Sequence, residues 1–534
     1  MTKRILISAL VLFTTLPLTI SAQPRTPEEY RAAIESPQDS PGENELGSLS
    51  IQELMERFHV PGVSIAVIHE FQVHWARGYG VADVETGAPV DTETVFQAAS
   101  ISKPVAAMGV LKAVQDGLFT LDDDINDIMT SWHLDGGEFT RERPVTPRSL
   151  TSHTSGLGDG FGFPGYDPSD QLPSVVQILD GHEPSNVGAV FMERPPMTFM
   201  EYSGGGVTVM QLALSDARGR PFADLMADDV LRPIGMGRST YEQPLPPDWD
   251  RNAARAHDGA GRSRGSKWHV YPELAAAGLW TTPTDLAKFA IEVQKSSVGE
   301  SNQVLSRVLV QEMLSPVGVG PYAVGFSLSP SGEGWYFSHG GSNWGFRATL
   351  MAHKVKGYGL AIMTNGDQGG AVMGELSRRI QAVYEWDSVA EPVRRGFAPI
   401  PERTEVAVEE GILRDYVGEY ELESGVSIVV TLEEGALFGR ASTGQERFQL
   451  FPESESEFFL KVADVQITFD RDDSGSVTGA ILHQGGASQP MRKVREELRP
   501  GGQACPARRS PPAPEERLEW PFPITTQPRN PVSA

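Results

Sequence analysis

The sequence predicts an α+β fold: a mostly antiparallel sheet flanked by helices, followed by a small antiparallel β-barrel or sandwich. Three observations carry this reading. Strand-like runs at 63–69 and 73–80 stand close together as a hairpin, and further runs at 322–328, 335–338, 346–352 and 358–364 follow a long helix-rich middle. Neighbouring runs are joined by short connections, which antiparallel pairs allow and parallel pairs do not. After Asp415 the texture changes to short alternating runs parted by turn residues, the pattern of a separate all-β unit.

Taken in order, the chain opens with MTKRILISALVLFTTLPLTISA. Lys3 and Arg4, an apolar run to Ile20, and small Ser21 and Ala22 before Gln23 make the three-part layout of a secretory leader, 1–22, cut after Ala22. The run is short for a bilayer span and Pro17 interrupts it. An exported protein, periplasmic or secreted, is therefore expected, with no stable membrane span after processing. Residues 23–42, rich in Pro, Glu and Ser, read as a mobile lead-in. A helix is predicted over 49–58, where Leu49, Ile51, Leu54, Met55 and Phe58 recur at helical spacing. Beyond the hairpin, residues 96–100 lead into a helix over 101–115, ended by Gly117. Further helices are predicted at 206–217, 222–231, 284–293, 303–314 and 374–384, closing a first domain that spans 43–388. Residues 389–411 read as a Pro- and charge-rich linker. The β unit occupies 412–496, with strands at 426–432, 436–441, 448–451, 458–462, 466–469 and 477–482. Residues 497–534 form a Pro-rich tail.

Composition narrows the function. Acids outnumber bases 70 to 45, a net charge of −25 that becomes −27 once Lys3 and Arg4 leave with the leader. Such a surface repels phosphate backbones, so no nucleic-acid partner is expected. A lone cysteine, Cys505, excludes an intrachain disulfide and a thiolate metal cluster. The eleven histidines show no H-x-H or H-E-x-x-H spacing, so no metal or other cofactor is expected. Four motif matches fail on context. Gly261-Arg262-Ser263-Arg264-Gly265 lacks the apolar strand that a nucleophile elbow needs. The G-x-G-x-x-G match at 160–165 follows a loop and contains Pro164. The acidic run at Asp470 has Ile481 where a calcium loop needs an acid. Asp122, Asp123 and Asp124 read as a solvated turn.

Only one of the ten lysines follows a serine by three residues: Ser100-Ile101-Ser102-Lys103. The serine stands at the entry of an apolar helix, and positions three apart share a helix face, so Lys103 can lie beside the Ser100 hydroxyl. A serine hydroxyl is a weak nucleophile at neutral pH and needs a nearby base. A lysine can serve where its surroundings favour the neutral amine. The helix start also offers partial positive charge where an oxyanion would form. Further on, Tyr202 precedes Ser203-Gly204-Gly205-Gly206 and a helix. Later, 335–342 reads as a strand ending in a small-residue corner, Ser338-His339-Gly340-Gly341-Ser342.

With these elements in this order, the chain resembles the serine β-lactamase and penicillin-binding-protein superfamily, nearest its class C-like branch of D-aminopeptidases, DD-carboxypeptidases and esterases. The stretches that carry the resemblance are 96–103 (FQAASISK), 150–157 (LTSHTSGL), 231–236 (LRPIGM) and 277–286 (AGLWTTPTDL), within about 43–385. It implies an antiparallel sheet flanked by helices with an all-helical subdomain, and a lipocalin-like barrel after Asp415. It also implies roles: Ser100 as acylated nucleophile, Lys103 and Tyr202 as proton-transfer groups, and His339-Gly340-Gly341 as the third motif. The backbone N–H groups of Ser100 and Ser342 would form the oxyanion hole, with Gly340, Gly341 and Gly204 along the substrate. Two departures stand out. Gly204 replaces an expected Asn that helps hold a substrate amide, and His339 replaces a lysine, removing a fixed charge that suits a substrate carboxylate. The expected activity is hydrolysis of an ester or amide in a small molecule or short peptide through a Ser100 acyl-enzyme. The alternatives are a β-lactamase, a D-Ala-D-Ala carboxypeptidase, or a weakly catalytic binding protein that keeps the fold. The oligomeric state stays open.

Overall fold

Period-two alternation builds the central layer of the computed structural model. It describes residues 25–39, 44–158, 162–331, 334–388, 403–422, 427–433, 435–441, 448–460, 465–472, 474–484 and 487–495. The expected leader, most of the linker and the Pro-rich tail lie outside them. Among the described residues of the first unit, eight strands occur: β1 (Gly62–His69), β2 (Gln72–Gly80), β3 (Phe96–Gln97), β4 (Trp280–Thr281), β5 (Ser327–Ser331), β6 (Gly334–Asn343), β7 (Phe346–His353) and β8 (Gly359–Thr364). Six of them form one antiparallel sheet in the order β2-β1-β8-β7-β6-β5, and β3 and β4 pair separately. The opening and closing runs of the sequence meet at its centre, where Val63 pairs with Thr364 and Ile68 with Gly359.

Both faces of this sheet are buried. Val63, Ile65 and Val67 of β1 and Leu360 and Ile362 of β8 face one core with Ile34, Leu54, Leu376 and Ile380. Ala66, Ile68, Ala361 and Met363 face the other, larger core, which continues into the helical region. Alternate residues thus serve two layers of helices, as the strand period requires.

Several expectations change in detail. Residues 27–35, expected in a mobile lead-in, form a capped helix, Pro27–Glu35, whose Ile34 is fully buried. The capping box of Thr26 and Glu29 starts it, and burial of one apolar residue against the last helix of the unit ties it down. The run at 322–328 is not a strand until Ser327, because the backbone turns at Gly325 (φ +92° and +67° mark Gly318 and Gly320, +90° Gly325) and packs against the helix that follows Ser100. The strand expected at 335–338 runs on to Asn343, so residues 339–342 are strand and not a corner. The final helix begins at Gly369, five residues early.

The second unit begins after residue 397. Its strands are β9 (Gly418–Leu422), β10 (Ser427–Glu433), β11 (Ala436–Ala441), β12 (Phe448–Pro452), β13 (Glu457–Phe459), β14 (Val465–Arg471), β15 (Val477–Gln484) and β16 (Ala487–Arg495). They close into an eight-stranded antiparallel barrel, with β9 joining β10 to β16. That closed ladder settles barrel over sandwich, and Tyr416, Tyr420, Phe458 and Phe469 fill its core. Strands β9 and β16 were not expected. The first is only five residues long, and the second carries Pro490 and three basic residues, which suppress the strand signal.

In the first unit, Arg379 of the helix Gly369–Val383 is fully buried. It pairs with Glu375 at 2.7 Å and donates to the carbonyl oxygens of Leu46 at 2.8 Å and Leu49 at 2.7 Å. Arg379→Met leaves those acceptors and a buried carboxylate short of a donor, and the expected cost is about 3–5 kcal/mol of stability. Urea unfolding of the two proteins checks it, and an unchanged midpoint would refute this account.

Candidate active site

The entry to the helix Ser102–Gln115 sets the site. Ala99 is held at φ +50°, a conformation uncommon for a residue with a side chain, in the 3-10 turn Ala99–Ile101 that precedes the helix. Ser102 Oγ donates to the Ala99 carbonyl and accepts from the Leu279 N–H at 3.0 Å, and the Tyr241 hydroxyl donates to the Ser102 carbonyl at 2.7 Å. The turn is therefore fixed at both ends, and the apolar residues Ile101, Val105, Met108 and Leu111 seat the helix in the core.

That geometry brings Lys103 Nζ to 3.1 Å from Ser100 Oγ, and the same amine donates to the Ala276 carbonyl at 2.8 Å. Lys103 is only 4% exposed. Tyr202, in the extended segment before the helix Gly204–Arg218, sets its ring 4.9 Å from Lys103 Nζ. Its hydroxyl interacts with the Ser100 side chain, and burial pushes the phenol well above its usual range, which keeps it protonated.

Strand β6 supplies the third wall. A side chain at Gly341 would stand 2.2 Å from the Ala98 carbonyl oxygen, so only glycine lets the strand run this close to the turn that holds Ser100. Asn343 fixes its end by donating to Gln97 at 3.0 Å and to the Ala277 carbonyl at 3.1 Å. His339, 5% exposed, places Nδ1 2.6 Å from the Gly340 carbonyl. Two acceptors do not bond, so Nδ1 carries the proton and Nε2 is left as an acceptor. Burial, with the Lys103 charge near, pulls the His339 imidazole down to about 3. The ring is neutral at pH 7.

Ser100, Lys103, Tyr202, His339, Gly340, Gly341 and Ser342 all line one cavity of about 860 Å³, within the range that holds small ligands. Gly204 differs from expectation. It does not line the cavity, because the Phe163 ring lies over it, 2.7 Å from where a side chain would begin. The position that would carry an amide carries an aromatic wall. Two further residues were missed: Tyr322, which lines the cavity, and His153, whose ring lies 4.2 Å from that of Tyr202. His153 falls inside the 150–157 stretch already singled out, which was the available signal. Tyr322 sits in an irregular segment and gave none. Among the described lining residues, Lys103 is the one with a formal charge. No group of three His, Cys, Asp or Glu among the described residues is arranged to hold a metal ion. No helix among them is long and apolar enough to cross a membrane.

One buried acid stands behind the site. Glu273 precedes the short helix Leu274–Ala277 that presents the Ala276 carbonyl to Lys103. It is fully buried, neither carboxyl oxygen has a hydrogen-bond partner, and burial pushes it up to about 7.

Comparison with known proteins shows what the chain is similar to. Residues 50–385 match the family model described as Beta-lactamase, and residues 402–498 match a domain of unknown function, DUF3471. "Penicillin-binding protein 4*" of Bacillus subtilis is 24% identical over 431 residues, covering 78% of this chain and 91% of its own. The solved structure "SurE with D-Leu" aligns with TM-score 0.53 at 22% identity, over 84% of this chain and 98% of that one. The D-amino acid amidase of Ochrobactrum anthropi aligns with TM-score 0.51 at 22% identity, over 67% and 98%.

Glu273 gives a pH signature. Its folded-state pKa lies above the unfolded value near 4.5, so its penalty is absent at low pH and grows as pH rises from about 4.5 to 7. Glu273→Gln is expected to match the wild type in stability at pH 4 and to exceed it by up to about 3 kcal/mol at pH 8. Denaturant unfolding at the two pH values measures this, and equal stability at pH 8 would contradict it.

Proposed function

The chain belongs to the beta-lactamase family, and from that premise we propose that it is an exported serine hydrolase. It cleaves a neutral ester or amide, in a small molecule or short peptide, through an acyl-enzyme on Ser100. The observation that carries this reading is the 3.1 Å contact between Ser100 Oγ and Lys103 Nζ. The amine is buried and fixed from behind by the Ala276 carbonyl, so it meets the hydroxyl in one geometry. The leader-like residues 1–22 support export.

The reaction runs in two steps. Lys103, charged at rest, first gives up a proton to solvent, and the neutral amine so formed takes the Ser100 proton while Oγ bonds to the substrate carbonyl carbon. The backbone N–H groups of Ser100 and Ser342 receive the oxyanion, each donor worth about 3–4 kcal/mol. Tyr202 stays protonated and relays a proton, so that the alcohol or amine leaves neutral as its bond to the acyl carbon breaks. Water then attacks the acyl-enzyme with the same groups returning the proton to Ser100.

Electrostatics choose among the relatives' chemistries. Substrates of β-lactamases and DD-carboxypeptidases carry a carboxylate beside the scissile bond. Here His339 is neutral, and no other cation among the described lining residues stands beside Lys103 to receive such a group. Phe163 in front of Gly204 adds apolar surface instead of an amide. The O. anthropi neighbour is named for amide cleavage, which fits a substrate without that carboxylate.

A hydrolysis panel tests the proposal. Neutral p-nitrophenyl esters and amino-acid amides are expected to turn over. Cephalosporins and D-Ala-D-Ala peptides are expected to be poorer in kcat/KM by at least about tenfold, the worth of one missing charged hydrogen bond. Ser100→Ala should abolish fluorophosphonate labelling and lower kcat by about a thousandfold or more, and Tyr202→Phe should lower it by about 10²–10⁴-fold. Turnover that survives Ser100→Ala would end this reading. A preference for the carboxylate-bearing substrates would return the protein to the lactamase or carboxypeptidase class.

A further inference from the structure

His153 lies against the reacting groups, and the acyl-transfer scheme gives it no step. It lies against Tyr202 in three ways. The Ser203 N–H donates to His153 Nδ1 at 3.2 Å, and the Glu201 N–H donates to the His153 carbonyl oxygen at 2.8 Å. These two bonds grip the backbone on either side of Tyr202. The third contact is ring to ring, 4.2 Å between centroids at an angle of 31°.

The backbone at His153 is itself unusual. It holds φ +61°, a region that residues with a side chain rarely occupy. Such strain persists where the surroundings over-determine it. The preceding helix Pro147–Thr151 ends just before, and the left-handed residue turns the chain so that ring and carbonyl both face the 201–203 segment. The tautomer follows from the bond made. A backbone N–H can only donate, so Nδ1 is the acceptor and the proton sits on Nε2. Protonating the ring would remove that acceptor. His153 is only 1% exposed, and burial together with the charge of Lys103 holds it well below the usual imidazole range, so the acceptor is preserved. Tyr322 closes the other side, its ring 4.7 Å from that of His153 at 88°, and 6.0 Å from His339.

We propose that His153 is the positioning residue for Tyr202, fixing the phenol against Lys103 and Ser100 through the hydrogen bonds to residues 201 and 203 and the ring contact between them. It touches no reacting atom. The catalytic part of this inference rests on the reading of Tyr202 as the proton relay; the positioning part does not.

Two substitutions separate the contributions. In His153→Asn, the amide oxygen takes the place of Nδ1, and asparagine tolerates a positive φ. In His153→Gly the backbone is relaxed, but the acceptor and the ring are both gone. The expected result is that Asn keeps kcat for a p-nitrophenyl ester within about fivefold of wild type. Gly should lower kcat by about 30-fold or more with KM changed less than about threefold. His153→Gly in a Tyr202→Phe background should cost little further, because the two act as a unit. A crystal structure of His153→Gly should have the Tyr202 hydroxyl displaced by about 1 Å or more from its wild-type place. If the phenol stays in place in that crystal, or if Asn is as damaged as Gly with Tyr202 undisturbed, the positioning role is wrong whatever the rates. If the phenol moves and turnover is unchanged, the positioning stands and the relay role of Tyr202 falls.

Discussion

Everything at the site depends on one hydroxyl and one amine being held a helical turn apart, the amine buried and the hydroxyl at the wall of the cavity. Neither group could keep that geometry alone. The lysine is fixed because a carbonyl from another part of the chain, Ala276, takes one of its hydrogens. The serine is fixed because its turn is pinned by Ser102, Tyr241 and the backbone of Leu279. The fold exists, in this sense, to deliver three distant segments to one strained turn: the 276–279 segment from behind, β6 from one side and the 201–203 segment from the other. Orientation of this kind converts an ordinary hydroxyl into a nucleophile without any unusual residue.

The second organising constraint is charge. A molecule carrying a net charge of −25 keeps its candidate cleft almost free of formal charge. Lys103 stands among aromatic rings and neutral imidazoles, and the two histidines beside it are held neutral by the same burial and by the lysine itself. A nearby cation and a low dielectric both oppose a second positive charge. Burial and the one amine together leave the histidines to work only as hydrogen-bonding groups, and burial alone keeps the tyrosine protonated.

Much of this was legible in the residues. The Ser100–Lys103 spacing was legible because the helix period puts positions three apart on one face, and the resemblance to the serine β-lactamase and penicillin-binding-protein superfamily implied that the tyrosine before the glycine-rich helix start and the 339–342 segment belong to the same site. The antiparallel sheet was legible from the strand period, with β1, β2, β7 and β8 each found within one or two residues. What failed was local in cause. Residues 27–35 looked mobile because their polarity hides the single buried Ile34. Strand β16 looked like loop because Pro490 and its basic residues weaken the pattern. Gly204 was expected beside the substrate, whereas a phenylalanine forty-one positions earlier in the chain covers it.

Short-range chemistry, then, was determined by the sequence itself: which serine, which lysine, which elements, which residues are apolar on which face. These follow from the regular periods of helix and strand and from side-chain chemistry that needs no partner to define it. Tertiary structure alone decided what lies against what. Barrel closure through β9, the grip of His153 on the backbone around Tyr202, the cover of Phe163 over Gly204 and the unpartnered carboxyl of Glu273 all join segments far apart in the chain. Their physical basis is packing and desolvation, and both depend on neighbours that no local pattern records.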